Sequence, residues 1–207
     1  MDPVFTLPYS EYVVVDKFNK QLAKRHGFSI YVPASRQEKG VDFLVYNSQH
    51  QRSLRFQVKS SRSYVNDDKR LLNKGHLKYT LWFNNFRKRY SAGEADYYIL
   101  FGLYPDYTID TQIAAKKSIW CPLILCFRDE EMKALLDSVR TKRERKPDRF
   151  FYIAFDSPDQ VYGTRGFSER LDLSDHLLDK QMPGVIRELT SNQGLQRDAV
   201  SAGAPDA

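Results

Sequence analysis

Two short runs of alternating residues constrain this chain more than any other feature. In Gly40-Val41-Asp42-Phe43-Leu44-Val45-Tyr46, the apolar Val41, Phe43 and Val45 alternate with Asp42, Leu44 and Tyr46. After a short polar gap, Leu54, Phe56 and Val58 alternate with Arg55, Gln57 and Lys59, and Ser60 follows. A period of two places successive side chains on opposite faces of a strand, so the pair reads as a hairpin with one buried face. With both apolar sets on that face, the antiparallel register can slip only in steps of two. Every such register sets Asp42 opposite or diagonal to Gln57 and Lys59, which brings together a carboxylate, an amide oxygen and an ammonium.

This set of groups suits phosphodiester hydrolysis, in which a hard divalent cation is held by oxygen ligands while a nearby cation offsets developing negative charge. Asp42 would supply the anionic ligand, Gln57 a neutral oxygen and the Val58 carbonyl another. Lys59 would orient the attacking water or steady the phosphate. The competing reading is a half-buried hairpin whose outer face is simply polar. Upstream, Ser10 reads as the N-cap of a helix, with Val15, Phe18 and Leu22 on one stripe and Gly27 as a stop after Arg25-His26. Glu11 heads that stripe, so it either complements the helix dipole or points toward the sheet.

The order Glu11, then Gly40-Val41-Asp42, then Gln57-Val58-Lys59 resembles the PD-(D/E)xK nuclease superfamily over about residues 8–104. Val41 stands where that family's name has proline. Gln57 replaces the acid before the lysine, a variant similar to Mrr-like and some Holliday-junction-resolvase-like members, and it removes one negative charge from the metal site. The resemblance implies an α/β (α+β) fold, a restriction-endonuclease-like mixed sheet flanked by helices, with elaborations over about 105–190. It also implies a metal-dependent DNA endonuclease whose active site is Glu11, Asp42, Gln57 and Lys59. Magnesium, for which manganese can substitute, would be bound by Glu11, Asp42, Gln57 and the Val58 carbonyl. Cutting both strands of a duplex calls for two such sites, so a homodimer is expected. The alternatives are a catalytically inactive nucleic-acid-binding or assembly module with the same fold, and an RNA-directed nuclease.

The chain has 207 residues, 42% of them hydrophobic, enough for one globular domain over 1–190 with a sizeable core. Its 32 Lys and Arg against 26 Asp and Glu give a formal charge of +6, which favours polyanionic partners. The expected DNA surface is Ser60, Ser61, Arg62, Lys69, Arg70, Lys74, Lys78 and Arg87-Lys88-Arg89. The denser run from Arg140 to Arg149 reads equally as a clamp on a DNA backbone or as a solvated helix end. Cys121 and Cys126 read as core thiols, and the four histidines lack metal-ligand spacing. With no signal-peptide plan and no apolar stretch near 20 residues, a cytoplasmic protein without membrane contact is expected.

The rest of the chain reads coarsely. Residues 62–77 look like a polar loop holding a hairpin tip, and Leu77 to Phe83 like a strand. Asn84 to Tyr90 looks like a short helix, and Asp96 to Leu103 like a buried strand. Strands are expected at 119–127 and 150–155, a helix over 129–143 and a helix-like segment from Leu171 to Leu178. A disordered tail is expected over 191–207.

Overall fold

A computed structural model describes residues 8–33, 40–66, 68–105, 120–141 and 146–191. The expected disordered tail lies, apart from Ser191, outside the described residues. The fold is mixed α+β. Helix α1 (Tyr9–Gln21) leads to strands β1 (Phe28–Tyr31), β2 (Phe43–Asn47) and β3 (Arg52–Val65). There follow α2 (Lys69–Asn73), β4 (Tyr79–Asn84), α3 (Phe86–Arg89), β5 (Tyr97–Pro105), β6 (Trp120–Arg128) and α4 (Asp129–Ser138). Strands β7 (Phe150–Phe155), β8 (Val161–Gly163) and β9 (Leu171–Asp172) precede the last described helix, α5 (Leu178–Thr190).

The long β3 belongs to two sheets. Its first part pairs antiparallel with β2, which pairs with β1, and parallel with β5, which pairs with β6. Its last four residues pair with β4, which continues through β7 and β8 to β9. The stretch 62–65 is therefore strand rather than loop, because Arg62 to Val65 find a full ladder partner in Tyr79 to Trp82. Helices α1 and α5 cover one face of the first sheet, burying Val14, Phe18, Phe43, Phe56, Ile99, Met182 and Val185 together. The other face of β5 and β6 packs with α4 against the inner face of the second sheet, through residues such as Leu81, Leu100, Leu125, Met132, Phe151 and Ile153. Buried on both faces, β5 is apolar almost throughout. Gly102 is needed there because a Cβ would collide with the Leu81 methyls from the second sheet.

Several local expectations are corrected. Helix α1 starts at Tyr9 with Pro8 at the N-cap, so Ser10 lies inside the helix and caps nothing. Its buried stripe is Val14, Phe18 and Leu22, with Val15 at the margin. The helix ends at Gln21, and Gly27, with φ +78, instead ends the 3-10 turn Lys24–His26. Val41 precedes β2 and is only half-buried. Helix α4 stops at Ser138 because Val139 is buried in extended backbone; residues 142–145 lie outside the described part. Leu171 to Leu178 is not one helix: Leu171–Asp172 is β9, Ser174–His176 is a 3-10 turn, and α5 begins only at Leu178. The Asp172 carboxylate accepts the Ser174 N–H (2.8 Å) and hydroxyl (2.6 Å), local bonds that compete with a helix.

The His176 ring stacks on Phe127 at 4.1 Å, and its buried Nδ1 makes no hydrogen bond among the described residues, with Glu131 3.8 Å away. Burial lowers its pKa below the ordinary 6.5, although Glu131 opposes the shift. The folded state thus favours the neutral ring, so stability is lost as pH falls from 6.5 through the lower folded value. Melting temperatures recorded between neutral and mildly acidic pH should decline more in the wild type than in His176→Phe. Equal declines would contradict this placement.

Candidate active site on the β2–β3 hairpin

The hairpin register is Phe43 opposite Phe56 and Val45 opposite Leu54, which stack the apolar residues on one face. Just before that ladder, the Asp42 N–H also donates to the Phe56 carbonyl, at 2.8 Å, so Asp42 and Phe43 both lie against Phe56. The Asp42 carboxylate then takes over from the backbone ladder by accepting the Val58 N–H at 2.6 Å. Asp42 is thus fixed to the strand segment that carries Gln57 and Lys59.

Gln57 is 5% exposed, and its Oε1 is buried without a hydrogen-bond partner among the described residues. A buried amide oxygen left without a donor is costly, and such groups are usually met by water, an ion or a ligand. Lys59 is partly buried and stands 6.0 Å from the Phe86 ring centroid. Burial lowers its pKa below that of an ordinary lysine; Asp42 opposes the shift most strongly, followed by Glu94 and Glu11, while Arg89 adds to it. Three carboxylates and one guanidinium therefore act on this ammonium. Glu11 lies in the first turn of α1, three residues before Val14 on the buried stripe, and is the weakest of these influences.

Glu94 was not foreseen, since it sits in an irregular turn between α3 and β5. Its side chain crosses Gly40: a Cβ there would lie 2.6 Å from Glu94 Oε2 and 2.8 Å from its Cβ. The turn is pinned on both sides. The Asp129 carboxylate accepts the Gly93 N–H (2.9 Å) and the Tyr90 hydroxyl (2.6 Å). Asp96 binds the Arg55 guanidinium at 2.9 and 3.2 Å and the Arg55 N–H at 2.8 Å. The available signal was an acid just ahead of a strand that runs beside Lys59. Gly40, with φ +91, is the position where the backbone itself needs glycine. Gly40→Ala is expected to displace Glu94 and strain the turn, costing about 1–3 kcal/mol. Chemical denaturation would register it; an unchanged midpoint would mean that the contact with Glu94 yields freely.

The expected DNA-binding residues do not form one surface. Ser60 is exposed beside Lys59, whereas the Ser61 hydroxyl donates to the Trp82 carbonyl at 2.7 Å. Arg62 pairs with Trp82 through the backbone, and its side chain lies outside the described part. Lys69, Arg70 and Lys74 are exposed in and after α2, past the end of β3, about 20 Å along the strand from Lys59. Lys78 lies over the Tyr79 ring at 5.1 Å, near that same end. Arg87 is bound to Asp137 (3.3 Å) and the Leu136 carbonyl (3.4 Å) of α4. Lys88 and Arg89 are exposed. The turn through Asn85 (φ 55) sets α3 beside Lys59, so Arg89 belongs to the site.

Among the described residues no three His, Cys, Asp or Glu side chains stand close enough to hold a metal ion by themselves, and no helix is long and apolar enough to cross a membrane. Comparison with known proteins finds no matching family model, no matching curated protein and no matching solved structure.

Proposed function

We propose that this chain is a metal-dependent DNA endonuclease with a restriction-endonuclease-like fold. The observation that carries the reading is the buried Gln57 Oε1, which has no hydrogen-bond partner among the described residues, two positions before Lys59 on the strand whose Val58 N–H is held by the Asp42 carboxylate. The element order supports it too: a helix bearing Glu11 precedes the hairpin, and β5 runs parallel to the strand bearing Lys59.

The donor set fits a hard cation such as magnesium or manganese, which takes oxygen ligands and tolerates a neutral one. Asp42, Gln57 Oε1 and the Val58 carbonyl would hold it, with Glu11 and Glu94 supplying further negative charge nearby. When bound, the ion would polarise a phosphate oxygen and acidify water. The chain's own groups do the rest. Asp42, fixed by the Val58 N–H, would hold the cation, and through it the scissile phosphate, at a set place along β3. Lys59 in its cationic form donates to the attacking water or to a non-bridging oxygen and offsets the charge that develops there. Arg89 and Lys88 at the neighbouring α3 pair with flanking phosphates. A homodimer would bring two such sites to a duplex.

A second reading, a non-catalytic nucleic-acid-binding module, draws on the absence of three clustered ligand side chains among the described residues. Cleavage of supercoiled, linear, methylated and branched DNA and of RNA, with magnesium or manganese, decides between them. The proposal expects DNA to be cut only with metal. Binding of DNA without cleavage under either metal would favour the module.

A further inference from the structure

The outer face of the second sheet carries residues that neither the core nor the proposed active site uses. Antiparallel partners share a face, and Tyr64 pairs with Thr80, Trp82 with Tyr152, and Asn84 with Phe150. The opposite face of β4 and β7 holds the buried Leu81, Phe83, Phe151 and Ile153. An open antiparallel sheet normally presents polar side chains to water. This one presents Tyr64, 45% exposed, and Trp82, 37% exposed, beside the partly buried Phe150 and Tyr152.

Trp82 is the centre of the row, 5.9 Å from Tyr64, 5.6 Å from Phe150 and 5.8 Å from Tyr152. All three neighbours meet it at interplanar angles of 49 to 71°, so none stacks flat on the indole. Cations surround the row. Arg149 lies 4.5 Å over Phe150, and Arg165 lies 5.3 Å over Phe150 and 5.2 Å over Tyr152, also donating to the Tyr152 hydroxyl at 3.0 Å. Asp148 stands 4.0 Å from Arg165. A cleft of about 590 Å³ runs from Tyr64, Trp82 and Tyr152 to Lys74 and Arg170.

We propose that this face binds an unpaired strand of DNA, with bases stacked on Trp82 and Tyr64 and phosphates paired with Arg149, Arg165, Lys74 and Arg170. The charge pattern selects the occupant. Aromatic platforms give sequence-independent stacking to unpaired bases, and a basic rim tracks their phosphates; an apolar peptide would have no use for four cations. In a duplex the bases are already stacked on one another. The assignment to DNA rests on the function proposed above. The row lies about 10 Å along β3 from Lys59, on the strand's other face, near enough for one DNA molecule to span both.

The test uses the full chain carrying Trp120→Phe, so that Trp82 alone reports, titrated with oligothymidylate of 20 residues in EDTA. Binding should quench the fluorescence and weaken as salt rises. In the same background, Tyr64→Ala should weaken binding about 5- to 100-fold. Trp82→Ala, followed by fluorescence anisotropy of a labelled oligonucleotide, should do the same, while Trp82→Phe retains most of the affinity. Circular dichroism identifies any misfolded variant, and Tyr64 at an exposed position keeps the test decisive if Trp82→Ala fails to fold. Quenching without any effect of Tyr64→Ala, no quenching, tighter binding of oligouridylate, or equal binding of an acidic peptide would each overturn the inference. Cleavage is read separately: loss of activity with Trp82-dependent binding intact would overturn the nuclease reading alone.

Discussion

Asp42→Ala and Lys59→Ala should each lower metal-dependent DNA cleavage by about 100- to 1,000-fold or more, the scale on which a single group that stabilises developing charge acts. Both residues are partly exposed polar groups outside the two apolar clusters, so the loss should come without unfolding. Asp42→Asn separates two roles of the carboxylate. An amide oxygen can still accept the Val58 N–H, so the hairpin should stay intact while activity falls. Lys59→Arg tests charge in a different way. Because burial lowers the Lys59 pKa, the cation is lost at lower pH than in an ordinary lysine, and activity that needs it falls as pH rises toward 10.5. A guanidinium stays charged throughout, so any activity retained by Lys59→Arg should persist further into the alkaline range. Metal-dependent cleavage that survives intact in both alanine variants would remove the hairpin from the chemistry.

What the sequence made legible follows from periodicity. Alternation alone fixed which side chains of β2 and β3 share a face, because a one-residue slip would have turned Phe43, Val45 and Phe56 to water. The approach of Asp42 to the Gln57–Lys59 stretch of β3 came with it. The apolar run of β5 could be read for the same reason, as a strand covered on both sides. Glu94 could not be read, since its position depends on two long-range anchors, Asp96 on Arg55 and Asp129 on Gly93, that leave no periodic trace. Nor could the division of the basic residues. Arg87 and Lys74 are close in sequence, yet β4 carries the chain back along β3 and separates them by the length of the hairpin. The polar look of 62–65 misled because a strand with one exposed face carries polar residues too, and nothing local shows that Arg62 to Val65 pair with Tyr79 to Trp82.

Phe56→Ala should be the most destabilising single change near the site, at about 3–5 kcal/mol. Its ring is fully buried where α1, β2, β3 and β5 meet. Phe43 stacks on it at 4.8 Å with an interplanar angle of 2°, Phe18 meets it edge-on at 4.9 Å, and Tyr97 closes the other side at 5.3 Å. Alanine would remove the transfer energy of the ring and leave a cavity whose walls belong to four different elements, so they cannot collapse together. Phe56→Leu should cost less, since most of the volume remains. Urea denaturation measures both, with Trp120→Ala, at a 54% exposed position, as a control expected to stay within about 0.5 kcal/mol. A loss below about 1 kcal/mol in Phe56→Ala would mean that the rings do not pack as a unit. The comparison also bears on function. Below its unfolding transition, Phe56→Leu should keep its activity, because Asp42 and Lys59 are not members of the apolar cluster that Phe56 joins. Lys59→Ala should show the reverse pattern, stable and inactive. If Phe56→Leu also lost activity while folded, the α1 packing that Phe56 supports, and with it the placement of Glu11, would matter to the chemistry more than its weak influence on Lys59 indicates.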